Sequence, residues 1–135
     1  MMLMAQQTTR MFDRVLAKQL RAAARRMPVV TLTGPRQSGK TTLVRNTFPR
    51  YAYVSLERPD ERSRAREDPL GFLAGFPAGV ILDEVQRAPE LLSYVQSAVD
   101  DDARPGRYIL TGSQNLLIME KISQTLAGRT AILRL

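Results

Sequence analysis

Apolar residues follow two different periods along this chain. Five short runs, rich in β-branched residues, have the length of buried strands: roughly 29–33, Tyr51-Ala52-Tyr53-Val54-Ser55-Leu56, Val80-Ile81-Leu82-Asp83-Glu84-Val85, Tyr108-Ile109-Leu110-Thr111 and Thr130-Ala131-Ile132-Leu133-Arg134-Leu135. Between them, apolar residues fall three or four apart, which is the spacing of a helix with one buried face. The spacing predicts helices over about 39–47 (stopped by Pro49), from Pro89 to the acidic triple Asp100-Asp101-Asp102, and over about 114–125, where Leu116, Leu117, Ile118 and Ile122 form the apolar side and Ser113 or a neighbour the cap. An N-terminal helix, capped by Thr8 or Thr9, is predicted to run to about Arg26 on a stripe of Met11, Val15, Leu16, Leu20 and Ala23 or Ala24, with Met1 to Met4 as a frayed end. Residues 59–68 read as a charged short helix or loop closed by Pro69. The glycine- and proline-punctuated stretch 71–79 reads as an irregular link.

Strands alternating with helices imply an α/β three-layer sandwich of about five mostly parallel strands with helices on both faces. In such sheets ligands bind at the edge formed by the strand C-termini. Gly34, Asp83 and Thr111 all fall at predicted C-terminal strand ends. The expected organisation is a basic amphipathic helix over 1–27 packed on a core over 28–135.

The loop after the first strand carries the strongest chemical signal. Gly34-Pro35-Arg36-Gln37-Ser38-Gly39-Lys40-Thr41 fits G-x-x-x-x-G-K-[ST] and stands between a strand and a helix. There, successive loop N–H groups and the positive end of the helix converge on an anion, and glycine lets the phosphate approach the backbone. Residues 34–42, including Thr42, are therefore the candidate nucleotide cradle, with Lys40 on the β- and γ-phosphates and Thr41 on Mg²⁺. Asp83-Glu84 closes an apolar strand. Asp83 can hold Mg²⁺ through water, and Glu84 can orient and deprotonate the water that attacks the γ-phosphate. The segment Thr111-Gly112-Ser113-Gln114 would place a hydroxyl beside that strand, and Arg129 is a candidate for stabilising charge on the transferring phosphate, in this chain's site or a neighbouring subunit's.

Composition narrows the classes further. The 135 residues include no Cys and no His, which removes disulfides, thiol nucleophiles and the usual zinc sites. No apolar run reaches the length of a membrane span, and the start lacks a signal peptide's pattern, so a cytoplasmic protein is the default. The net charge of +7 is uneven: residues 1–36 hold seven basic groups against Asp13 alone. That makes the N-terminal helix a candidate nucleic-acid contact, with a solvated basic face as the plainer reading.

The runs GPRQSGKTTL (Gly34 to Leu43), Ile81-Leu82-Asp83-Glu84-Val85-Gln86, Leu110-Thr111-Gly112-Ser113 and Leu126-Ala127-Gly128-Arg129 resemble those of prokaryotic AAA-type P-loop ATPases. The resemblance spans about residues 10–135. It implies an ATP-binding P-loop NTPase core with a five-stranded parallel sheet, Lys40 and Thr41 on phosphate and Mg²⁺, Asp83 and Glu84 as the metal and water carboxylates, and Ser113 or Thr111 as a sensor. Members of that group usually continue past the fifth strand into a further domain, which this chain, ending at Leu135, is expected to lack.

The leading expectation is thus Mg²⁺-dependent ATP binding and hydrolysis; no [NT]-K-x-D segment favours guanine. One alternative is a nucleotide-gated binding module with little hydrolysis. Another is a P-loop kinase, with Arg62, Arg64 and Arg66 as weak lid candidates. A homo-oligomer is an open partner; a membrane is not.

Overall fold

In the computed structural model, backbone is described for residues 2–35 and 38–135, and side chains from residue 10 onward apart from 36 and 37. Five strands form one sheet: β1 (Val29–Thr33), β2 (Ala52–Ser55), β3 (Val80–Asp83), β4 (Tyr108–Gly112) and β5 (Thr130–Arg134), in the spatial order β2-β3-β4-β1-β5. Every pairing is parallel. The three central strands β1, β3 and β4 are buried at every residue, as two-sided coverage requires.

The helices are α1 (Met2–Ala24), α2 (Lys40–Thr47), α3 (Pro59–Glu67), α4 (Pro69–Ala74), α5 (Leu91–Asp101) and α6 (Leu116–Thr125). Alternate strand residues feed two separate cores. On one face Val30, Leu32, Ile81 and Ile109 pack with Leu16, Leu20 and Ala23 of α1 and Leu43 and Val44 of α2. On the other, Val29, Val54, Leu82, Tyr108 and Leu110 meet Phe72 and Leu73 of α4, Leu92 and Val95 of α5 and Ile118 and Ile122 of α6. The result is an α/β three-layer sandwich.

Several local expectations are corrected. Helix α1 begins at Met2 rather than at a Thr8 or Thr9 cap, because Met, Leu, Ala and Gln are good helix formers and two interior threonines cost only a few tenths of a kcal/mol each. Its buried stripe is Leu16, Leu20 and Ala23; Met11 and Val15 are 66% and 57% exposed, since they lie more than a quarter of a turn from the centre of the face that meets α2 and the sheet. Stretch 69–74 is a helix rather than an irregular link. Pro69 opens it and the Asp68 carboxylate accepts the Gly71 N–H as its N-cap. Helix α6 starts at Leu116, two residues later than expected, capped by Asn115 through the Leu117 N–H, and Leu116 and Leu117 are each 75% exposed, leaving Ile118 and Ile122 as its buried side. Among the described residues, no helix is long and apolar enough to cross a membrane.

Candidate functional site

The C-terminal edge of the sheet collects the chemistry. β1 is followed by Gly34, where an added Cβ would lie 3.0 Å from Ser38 Oγ and 3.2 Å from Leu135 Cβ, so a side chain here would crowd the loop. At the loop's other end Gly39 has φ 87°, a left-handed conformation that side chains resist, and from there α2 starts at Lys40. Arg36 and Gln37 lie outside the described residues. Ser38, Gly39, Lys40, Thr41, Thr42, Glu57, Asp83 and Glu84 wall a cleft of about 320 Å³.

Lys40 is buried, and its Nζ lies 2.7 Å from Glu84 Oε1. Thr41 Oγ1 donates to the Asp83 carboxylate at 3.0–3.1 Å. β3 and β4 pair with Leu82 opposite Leu110, which brings the next residues, Asp83 and Thr111, side by side. The Thr111 hydroxyl donates to Asp83 Oδ1 and accepts the Glu84 N–H at 2.9 Å, so one hydroxyl ties the two acidic residues together. Glu84 has φ 63°, a conformation that costs a non-glycine residue on the order of 1 kcal/mol or more and recurs where a site demands it. That turn ends β3, opens a single 3₁₀ turn over Val85–Arg87 and swings the carboxylate toward Lys40.

Two contributors were missed in the sequence. Tyr53 Oη donates to Asp83 Oδ2 at 2.6 Å, with Arg45 stacked 4.2 Å over its ring. Burial first, and then the neighbouring Asp83 carboxylate, hold the Tyr53 phenol well above its ordinary range. The phenol form is thus favoured in the fold: its stabilisation is complete below the free phenol's pKa of about 10 and is lost as pH rises beyond that. Tyr53→Phe should lower stability by about 1 kcal/mol and blunt the decline of the melting temperature above that pH; an unchanged alkaline profile would remove Tyr53 from the cluster. The second is Gln86, whose Nε2 donates to Glu84 Oε2 while its Oε1 accepts the Ser113 N–H at 3.3 Å.

The expected residues are not all brought together. Lys40, Thr41, Asp83 and Glu84 converge. Of the two sensor candidates, Thr111 supplies the hydroxyl beside Asp83, whereas Ser113 joins through its backbone N–H, which donates to Gln86 Oε1. Arg129 does not reach the cradle of its own chain. It precedes β5, with its carbonyl accepting the Val29 N–H at the start of β1, and so lies at the opposite edge of the sheet. There its guanidinium holds Asp100 at 2.6 Å and keeps that exposed carboxyl below its usual range. The lid arginines are also engaged elsewhere: Arg62 on the Leu56 and Glu57 carbonyls, Arg64 on Glu61, and Arg66 on Glu90 and the Arg87 carbonyl.

The donor set suits a nucleotide with a hard cation. Ser38 lines this cleft, and its Oγ is buried with no hydrogen-bond partner among the described residues, as a group awaiting an anion would be. Thr41 Oγ1 and the Asp83 carboxylate, 3.0–3.1 Å apart, are the oxygens that could serve as ligands to such a cation. The described residues contain no cluster of three or more His, Cys, Asp or Glu that would cage a metal alone.

Comparison with known proteins agrees with this geometry. The chain is 38% identical over 122 residues to uncharacterized proteins of Mycobacterium tuberculosis and Mycobacterium bovis, covering 88% of this chain and 27% of each relative. It therefore spans about a quarter of the length of these curated relatives. Among solved structures it resembles a DNA replication initiation factor (TM-score 0.58, 13% identity, 90% of this chain and 44% of that one) and the P-loop NTPase domain of a sigma-54 transport activator from E. coli (TM-score 0.58, 15% identity, 90% and 94%). These share the fold. The profile of the AAA domain family AAA_14 matches residues 26–135, which hold all five strands and the whole cleft. The chain belongs to this AAA family of P-loop nucleotide-binding domains.

Proposed function

We propose that this chain binds ATP with Mg²⁺ and hydrolyses it. The observation that carries the proposal is the Lys40–Glu84 ion pair on the wall of a cleft that also holds Thr41 and Asp83. A buried ammonium facing a carboxylate is a cation kept in place for a stronger anion. Lys40 exchanges Glu84 for the phosphate tail as the loop N–H groups close around it. Thr41 Oγ1 and Asp83 would hold Mg²⁺, which when bound would neutralise charge on the terminal phosphates. Glu84, released from Lys40, orients a water molecule and accepts its proton as the water oxygen bonds to the γ-phosphorus; the bond from that phosphorus to the bridging oxygen breaks, and ADP leaves. Thr111 keeps Asp83 and the Glu84 backbone in register throughout. Phosphate release by the purified chain, measured with ATP in the presence of Mg²⁺ and again in excess chelator, tests this. Turnover that needs the cation is expected; equal rates under both conditions would contradict the metal assignment.

A transferase reading is less well supported, because Arg62, Arg64 and Arg66 are already bonded within their own surroundings. For Arg129, a role at a phosphate requires a neighbouring copy and the opening of its pair with Asp100.

A second, compatible activity is supported by α1. Arg10, Arg14, Lys18, Arg21 and Arg25 recur every three or four residues and fall within an arc of about 80° on a helix of 3.6 residues per turn. All five are exposed, and among the described residues none makes an ion pair or hydrogen bond through its side chain. The stripe lies opposite the Leu16–Leu20–Ala23 face, over about 22 Å at 1.5 Å per residue, and it fits a nucleic-acid phosphate backbone. Duplex DNA binding should weaken steeply between 50 and 200 mM salt, values typical of such tests. Replacing Arg14, Lys18 and Arg21 by glutamine should reduce the slope of log K against log salt by about 3. Salt-independent binding would exclude the stripe as the contact.

A further inference from the structure

We propose that Gln86 is a positioning residue that couples the Glu84 carboxylate to the end of β4; this rests on the ATPase reading above. Glu84 has two carboxylate oxygens with different partners: Oε1 faces Lys40, and Oε2 accepts the Gln86 amide. The first partner departs when Lys40 turns to phosphate. The second has no reason to depart, so Gln86 is the side chain that fixes Glu84 while water is activated. Its other end is equally committed, since Gln86 Oε1 accepts the Ser113 N–H in the segment that follows Thr111. A carboxamide donates through its nitrogen and accepts through its oxygen, so holding both bonds at once fixes its orientation. The neighbourhood is close: a Cβ added at Gly112 would stand 3.4 Å from Val85 Cγ2 and 3.6 Å from Gln86 Oε1.

Glu84 itself needs this support. Its left-handed backbone is held by the Thr111 hydroxyl at the N–H, but that bond does not define where the carboxylate points. A displacement of the segment around Ser113, where the γ-phosphate would be sensed, is transmitted through one amide to the base. Gln86 thereby links nucleotide state to the position of the proton acceptor.

Two substitutions separate the halves of the bridge. Gln86→Met keeps the length and removes both hydrogen bonds. Gln86→Glu keeps an acceptor for the Ser113 N–H but offers no proton to Glu84. Both should lower kcat for ATP by about ten- to a hundredfold, the range expected when a catalytic group is misplaced, with KM and the calorimetric Kd for Mg²⁺-ATP within about twofold of wild type. Amide exchange of Ser113 in the nucleotide-free chain, resolved by NMR, should accelerate about fivefold in Gln86→Met and stay at the wild-type rate in Gln86→Glu. Wild-type kcat in Gln86→Met overturns the proposal. So does full kcat in Gln86→Glu, because the donor to Glu84 would then be dispensable, and so does a raised Kd with unchanged kcat. A wild-type chain without turnover would instead sink the ATPase reading, a different outcome from normal turnover in the variants.

Discussion

Lys40→Ala is expected to remove tight nucleotide binding and to destabilise the fold at the same time. The ammonium contributes a charge-assisted contact to the phosphate tail, about 3 kcal/mol at most, so its loss should weaken Mg²⁺-ATP about a hundredfold. The sequence alone suggests a variant with an intact fold. The structure changes that expectation, because Glu84 is buried and its Oε1 depends on Lys40. Stranding one member of a fully buried pair costs about 3–5 kcal/mol; here truncation opens the site to a cleft, so a loss of about 1–3 kcal/mol is expected. The double variant Lys40→Ala with Glu84→Gln removes the stranded charge. It should recover most of the lost melting temperature without recovering nucleotide binding. A double variant no more stable than Lys40→Ala would mean that the pair carries little of the local stability.

The second large effect concerns chemistry alone. Glu84→Gln keeps the size of the side chain and retains a donor or acceptor toward Gln86, but a carboxamide cannot take the water proton. General-base catalysis is typically worth 10²–10⁴-fold, so kcat should fall at least a hundredfold while ATP remains bound. Losing the carboxylate also frees Lys40 from its ion pair, and affinity for ATP should equal or exceed that of wild type. Normal hydrolysis by this variant would show that Glu84 is not the base. Weaker ATP binding would show that the ion pair does not compete with phosphate.

Much of this site is legible in the sequence because its signals are local. The loop from Gly34 to Thr41 declares itself by glycine spacing between an apolar run and a helical one, and Asp83-Glu84 stands at the end of a run too apolar to be anything but a buried strand. What is hidden depends on which strands are neighbours and in what register. Tyr53 reaches Asp83 only because β2 pairs with β3, and Thr111 rather than Ser113 supplies the hydroxyl only because Leu110 stands opposite Leu82. Glu84 in a left-handed turn contradicts residue preference, so the carboxylate's direction could not be read. The position of Arg129 was readable: a residue just before a parallel strand lies at the edge opposite the strand ends that hold the cradle. The phase of α1 was not. Met11, Phe12, Val15, Leu16 and Leu20 span more than one face, and packing on α2 and β1 selects Leu16 and Leu20. The Asp68-Pro69 pair carries a cap-and-first-turn signal strong enough to have predicted α4.

The central claim is that the loop and Lys40 gather the phosphate tail of ATP beside the Asp83-Glu84 strand end. Calorimetric titration of the full 135-residue chain with ATP, with and without Mg²⁺, tests it most directly. Saturable one-to-one binding that tightens with Mg²⁺ and weakens about a hundredfold in Lys40→Ala is the predicted result. A folded wild-type chain giving no heat of binding, or one bound as tightly after loss of Lys40, would contradict it.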